Sequence, residues 1–524
     1  MASYDAIIIG AGHNGLCSAL VLARAGFKVL VLEGGPIAGG AAKSGALTLP
    51  GFVHDYYASN IGLFLGSSLY RAFGKELHAA GFQFDVANQP YGSVFPGGRG
   101  LPVYMDPKAT EESIRAFSLK DVSAWHALVG EFQQVAPYLF PLLQRPIPSW
   151  AFGRALFRMG RRLGMMRTQE VIAQLLQSPR QFVQARFESP EMQALLIPWG
   201  YHLDFGPDVS GGATFPYLES MQDYLHGMAI THGGIGRLIE SMVTVFESLG
   251  GEMRLNTAVT EVMMRNGRAV GVRTQGGDEI AAKRAVVANV TPRRLFGGLV
   301  DAGALPASFF SKVQKFRYGP GTMMVHLALS GPVPWMAKSL ARSLYVHIAP
   351  YVDDVAQADI QARSGFLPKS PLLVVGQQSS WDLSRAPQDR ETLWIQVRSV
   401  PYQPQGDALH SIAVGGWDVI KEAYADRVLQ KIGEYAPGFR SKILARTVFS
   451  PLDLERDNPN LVGGDSVSGS HHLDQFYLFR PFPGWSRYRT PIAGLWMVGA
   501  STWPGGGLNA TSGYLAAQAI LKNG

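Results

Sequence analysis

Gly10, Gly12 and Gly15 stand in G-x-G-x-x-G spacing directly after an apolar run from Ala6 to Ile9. That spacing suits phosphate binding. The first glycine makes a tight turn, the second lets a pyrophosphate reach the backbone, and the third lets a helix pack closely on a strand. Glu33 follows at the end of a second apolar run, "KVLVLE". A carboxylate there can accept hydrogen bonds from an adenosine ribose. His13 and Asn14 lie inside the loop, and His13 is expected to contact a cofactor or cap the helix.

These residues need a strand, a helix and a second strand to hold them, and "DAIIIGAGHNGLCSALVLARAGFKVLVLE" reads that way, with the helix closing by Gly26. The result is a βαβ nucleotide site. Gly34, then Gly39 and Gly40 followed by Ala41 and Ser44, extend it in a way NAD enzymes usually lack, which points to FAD. At the far end, "GASTWPGGGLNATSGY" places Gly505, Gly506 and Gly507 between an apolar strand and the last helix. Glycine weakens both neighbours, so we expect a ligand to approach the backbone there.

Both ends carry a family resemblance. "DAIIIGAGHNGLCSALVLARAGFKVLVLEGGPIAGGAAKS" with "PGFVHDYYAS", and the closing "RPFPGWSRYRTPIAGLWMVGASTWPGGGLNATSGYLAAQAIL", resemble the phytoene-desaturase-like branch of FAD-dependent oxidoreductases, related in fold to flavin amine oxidases. Within it the chain is most similar to members labelled pyridine nucleotide-disulfide oxidoreductase-like. The resemblance implies an α/β fold, a Rossmann-type FAD-binding domain interleaved with an α+β substrate domain. It also implies that Gly499, Ala500, Gly506, Gly507, Leu508 and Asn509 border the flavin, with Gly505 to Gly507 starting the terminal helix. The main chain near Val259 would lie by the adenine, with Ala288 and Asn289 ending the neighbouring strand. Ala41 and Gly35 replace arginines common in the relatives, and Lys43 reads as an exposed loop lysine.

In the middle, "HGGIGRLIESMVTVFESLGGEMRLNTAVTEVMMRNGRAVGVRTQGGDEIAAKRAVVANV" gives a glycine-started helix, a short strand, a hairpin turning at Asn266 and Gly267, and a final apolar strand. The FAD-binding segments are expected at 1–75, 226–295 and 455–524. Two insertions, 76–225 and 296–454, would form the substrate domain, the first largely helical and the second containing strands "GTMMVHLALSG" and "ETLWIQVRSV".

Composition excludes several classes. A chain of 524 residues exceeds one ordinary core, and 47% hydrophobic with 17% charged residues makes it globular. The net charge of +7 comes without a long basic run, so no nucleic-acid partner is expected. Cys17 is the only cysteine, which rules out an internal disulfide or a redox pair and fits a reducing cytoplasm. Adjacent His471 and His472 lack a paired carboxylate motif, so no metal site is expected. "GGIGRL" lacks a third glycine, and no strand is expected before it, so no NAD(P)H site is expected.

Electrons should therefore come from the organic substrate and pass to oxygen or a quinone. By the family resemblance that substrate is hydrophobic and is dehydrogenated to a carbon–carbon double bond, an amine or amino-acid oxidase and a non-catalytic flavin-binding protein being the alternatives. Loss of a proton needs a positioned group, and His54 and His472 are the candidates. Tyr477, Phe479 and Trp503 would line the substrate tunnel. Residues 149–167, drawn as one helix, put Phe152, Leu156, Met159, Leu163 and Met166 on one side and Arg154, Arg158, Arg161 and Arg162 on the other. Such a helix can touch the inner face of an anionic membrane.

Overall fold

The computed structural model describes residues 3–523. Strand Ser3–Ile9 pairs in parallel with Val29–Leu32 on one side and Glu279–Ala288 on the other. Glu252–Arg254 extends the sheet beyond Val29–Leu32, and Leu495–Met497 joins Glu279–Ala288 in parallel. Val259–Arg265 and Arg268–Thr274 add an antiparallel hairpin. Its turn residues Asn266 and Gly267 have φ of 50° and 71°, the left-handed pair that a two-residue hairpin requires.

Side-chain alternation explains why this sheet is buried on both faces. Ala6, Ile8, Val29 and Val31 pack with helices His13–Arg24, Gly236–Ser248 and Thr511–Asn523. Ile7, Ile9, Leu30 and Leu32 pack on the opposite face with Phe296, Phe309 and Phe316. The two-residue period sends neighbours to opposite sides.

A second seven-stranded sheet runs in the order Ile443–Phe449, Gly321–Leu329, Glu391–Val400, Leu372–Gly376, Tyr345–Ile348, Tyr91–Phe95, Arg99–Val103. Helix Trp417–Tyr435 covers one face through Tyr424, Val428 and Ile432. Helices including Leu119–Leu143 and Thr214–His226 pack on the other. Tyr345, Trp394, Gln396 and Arg398 lie on this second face, which borders the site. The mostly helical first insertion thus also supplies the hairpin 91–103. Gly97 and Gly98, at φ of 78° and 73°, close its turn between Phe95 and Arg99.

Three local expectations need correction. Strand Met228–Thr231 does precede "GGIGRL", pairing antiparallel with Phe84–Ala87 outside the parallel sheet. The terminal helix begins at Thr511, because Gly505, Gly507 and Ala510 have left-handed φ incompatible with an earlier helical turn. Residues 149–167 form two helices, Trp150–Leu163 and Met165–Leu176, broken at Gly164, whose φ is 86°. No described helix is long and apolar enough to cross a membrane.

Candidate functional site

A cavity of about 780 Å³ runs from the glycine loop to the second sheet. At one end stands the start of helix His13–Arg24, whose N-cap Gly12 offers no side-chain cap. Its first-turn N–H groups therefore remain available to an anion. Glu33 accepts N–H bonds from Ala11 at 2.7 Å and Gly35 at 2.8 Å, which fixes the loop and leaves carboxylate lone pairs free.

Asn289 sits where the glycine segments converge. A Cβ on Gly12 would lie 2.7 Å from Asn289 Nδ2, and one on Gly499 would lie 2.8 Å from Asn289 Oδ1. These glycines let three chain segments meet at the cavity floor. Gly10, Gly12, His13, Asn14, Glu33, Gly34, Gly39, Gly40, Ala41, Val259, Asn289, Gly499, Ala500, Gly507 and Leu508 all lie on the wall.

Other sequence candidates lie behind it. Gly15 is a packing residue, since a Cβ there would come within 2.3 Å of the Gly10 carbonyl oxygen. Ser44 donates to Asp55 and accepts from the Gly236 N–H, while Ala288 is buried in the sheet core. The Gly506 N–H donates to His471 Nε2, and Asn509 Oδ1 accepts the Thr511 N–H.

Neither proposed catalytic histidine is on the wall. His54 Nε2 lies 2.8 Å from Thr48 Oγ1, with its ring packed edge-on to His326. His472 stacks on Phe205, and its Nε2 is 3.5 Å from Asp204. Tyr477 and Trp503 pack instead in a small aromatic cluster with Phe476, and Phe479 is exposed. Lys43 also departs from expectation: it is buried on the cavity wall, with Nζ 2.7 Å from Asp457 Oδ1.

The sequence reading missed the far end of the cavity. His202, Phe215, Glu219, Tyr345, Trp394 and Arg398 form it, drawn from four separated segments with no shared motif. It also missed the support of the carboxyl-terminal loop. Arg480, fully buried, donates to the carbonyls of Gly469, Ser470 and Ala500. Burial pushes its pKa down to about 10, so the guanidinium stays charged at neutral pH.

The sequence model of the flavin containing amine oxidoreductase family matches residues 15–399. The chain belongs to that family. Members carry a flavin, and the capless helix, the glycine convergence and Glu33 suit such a group. The chain is 27% identical to the mouse pyridine nucleotide-disulfide oxidoreductase domain-containing protein 2, over 99% of this chain and 94% of that protein. It is 26% identical to the neurosporene-forming phytoene desaturase of Rhodobacter capsulatus, over 98% and 93%. A solved oxidoreductase from Methanosarcina mazei shares the fold with a TM-score of 0.64 at 17% identity, covering 99% of both chains. The phytoene-desaturase-like character of this flavin oxidoreductase is thus supported over nearly its whole length. The words "disulfide oxidoreductase" in the mouse name find no counterpart in chemistry here, since Cys17 is buried and has no second cysteine to pair with.

Buried histidines set an acid limit on the fold. Burial lowers the pKa of His54 to about 4, and places those of His326, His347 and His471 well below the usual value. An unfolded histidine titrates near about 6.5. Below that pH the unfolded chain binds more protons than the native one, so stability is full above about pH 6.5 and falls toward about pH 4. Each histidine contributes up to about 1.4 kcal/mol per pH unit. The melting temperature is expected to drop steeply between about pH 6.5 and 5; a flat profile there would show that these side chains can protonate in place.

Proposed function

We propose that the protein is an FAD-dependent dehydrogenase that forms a carbon–carbon double bond in a hydrophobic organic substrate and is reoxidised by oxygen or a quinone. The observation that carries this is one cavity joining a dinucleotide-type end to an aromatic chamber. Bound FAD supplies a two-electron hydride acceptor. Helix His13–Arg24 would meet its pyrophosphate, Glu33 its ribose, and the 499–508 loop its ring system. The segments 1–75, 226–295 and 455–524 would form the FAD-binding domain, and 76–225 with 296–454 the substrate domain. The homology to a phytoene desaturase supports desaturation over amine oxidation.

Anaerobic mixing tests the electron source. Polyene or terpenoid substrates should bleach the bound flavin, whereas NADH and NADPH in excess should leave it oxidised. Rapid, stoichiometric bleaching by either pyridine nucleotide would reveal a second nucleotide site. Bleaching by amines alone would transfer the proposal to amine oxidation.

A lipid route to the site is part of this reading. Trp150, Phe157 and Met166 are 88%, 70% and 75% exposed, next to exposed Arg154, Arg158, Arg161 and Arg162. Phe152 and Met159 turn inward, so the outward stripe mixes aromatic and basic residues more than a sequence-drawn wheel shows. Such a surface suits an anionic bilayer. The protein should co-sediment with anionic vesicles in a salt-sensitive way, and changing the four arginines to glutamine should release it. Equal binding by both chains, or none by either, would remove the membrane role.

A further inference from the structure

His202 and Glu219 meet at the chamber end of the cavity, on 3₁₀ segment Ile197–His202 and helix Thr214–His226. His202 Nδ1 lies 3.2 Å from Glu219 Oε2, and both side chains are largely buried. Trp199 lies against the imidazole with ring centroids 4.5 Å apart, which fixes its plane. His202 Nε2, on the other side of the ring, has no partner. A buried polar atom without a partner on a cavity wall calls for a ligand.

Arg398 stands beside this pair. Its guanidinium donates to the carbonyls of Tyr201 and Leu203, the two residues flanking His202, and to Thr322 Oγ1 and Ser466 Oγ. All four acceptors are neutral. Among the described residues no carboxylate lies within ion-pairing distance of it, yet it lines the cavity. Tyr345 and Trp394, stacked with ring centroids 5.5 Å apart, supply an apolar surface alongside.

A neutral imidazole is far too weak to deprotonate an unactivated alkyl carbon. It becomes an effective base where an adjacent carbonyl acidifies the C–H bond and a cation stabilises the oxygen as charge develops. Resting on the dehydrogenase reading above, we propose that the substrate carries a carbonyl group, that Arg398 stabilises its oxygen, and that His202, oriented by Glu219, takes the α-proton. The α C–H bond breaks with the proton going to His202 Nε2, and its electron pair becomes the second carbon–carbon bond. The β hydrogen leaves with the C–H electron pair as a hydride, for which bound FAD would be the two-electron acceptor. His202 is then the catalytic base, and Glu219 a positioning residue that balances the imidazolium.

Proton abstraction can be read without turnover. Methyl nonyl ketone incubated with the flavin-loaded protein in D2O should exchange its α-hydrogens, followed by mass spectrometry. His202→Gln should slow exchange about a hundredfold or more. Glu219→Gln should slow it less and change its pH profile, which a merely structural role would not do. His202→Asn, with flavin content and melting temperature checked for each variant, guards against misfolding. Wild-type exchange no faster than buffer, or full exchange by folded His202 variants, would overturn the proposal. Flavin bleaching by a pure hydrocarbon polyene without ketone exchange would overturn it while keeping the dehydrogenase reading. Exchange with no bleaching by any substrate would retain the base and count against desaturation.

Discussion

Replacing Arg385 by methionine is expected to cost about 3–5 kcal/mol of stability. Arg385 is buried, and its Nη1 donates to Asp55 Oδ2 at 2.8 Å and its Nε to Asp382 Oδ2 at 2.9 Å. Nη2 donates to the Thr231 carbonyl at 2.7 Å. Asp55 also accepts the Ile235 N–H and the hydroxyls of Ser44 and Ser59, while Asp382 accepts the Gly233 N–H. One guanidinium thus joins the amino-terminal segment, the start of helix Gly236–Ser248 and the second insertion. Without it two buried carboxylates lose their shared cation, and such a loss far exceeds that of an exposed ion pair. Urea denaturation measures it. A loss below about 1 kcal/mol would mean that water or a shifted side chain replaces the cation.

Replacing Gly12 by valine should abolish flavin retention. Its Cβ would stand 2.7 Å from Asn289 Nδ2, and a Cβ added to Gly40 on the facing loop would already come within 3.3 Å of Gly12 Cα. The side chain would displace Asn289, occupy the space over the uncapped helix start, and block anion approach. A folded Gly12→Val protein that keeps its full flavin complement would show that the cofactor lies elsewhere. Asn289→Ala makes a milder companion: removing the amide relieves the clash but not the block, so the double variant should still lack flavin.

The glycine-loop end of the cavity was legible because it is built from a short, local device. Gly10, Gly12, Gly15 and Glu33 fall within one βαβ unit, and their spacing alone places them. The hairpin at Asn266 was readable for the same reason. The chamber was not legible: His202, Glu219, Tyr345 and Arg398 meet only because a helix and the second sheet pack across the cavity, and no local spacing encodes that meeting. His54 and His472 misled because proximity in sequence to flavin-bordering segments says nothing of side-chain direction. His54 turns toward Thr48 and His326, and His472 toward Phe205. The 149–167 helix misled through Gly164, whose positive φ breaks a pattern that periodicity alone would carry through.

The account rests on a flavin dinucleotide filling the crevice between Glu33 and the 499–508 loop. Heat release of the cofactor from purified protein, with mass spectrometry of the supernatant and a flavin-to-chain ratio, measures this most directly. The expected result is FAD at close to one per chain, lost in Gly12→Val and retained in His202→Gln. Purified, folded protein that carries no flavin and takes none up from added FAD would contradict it.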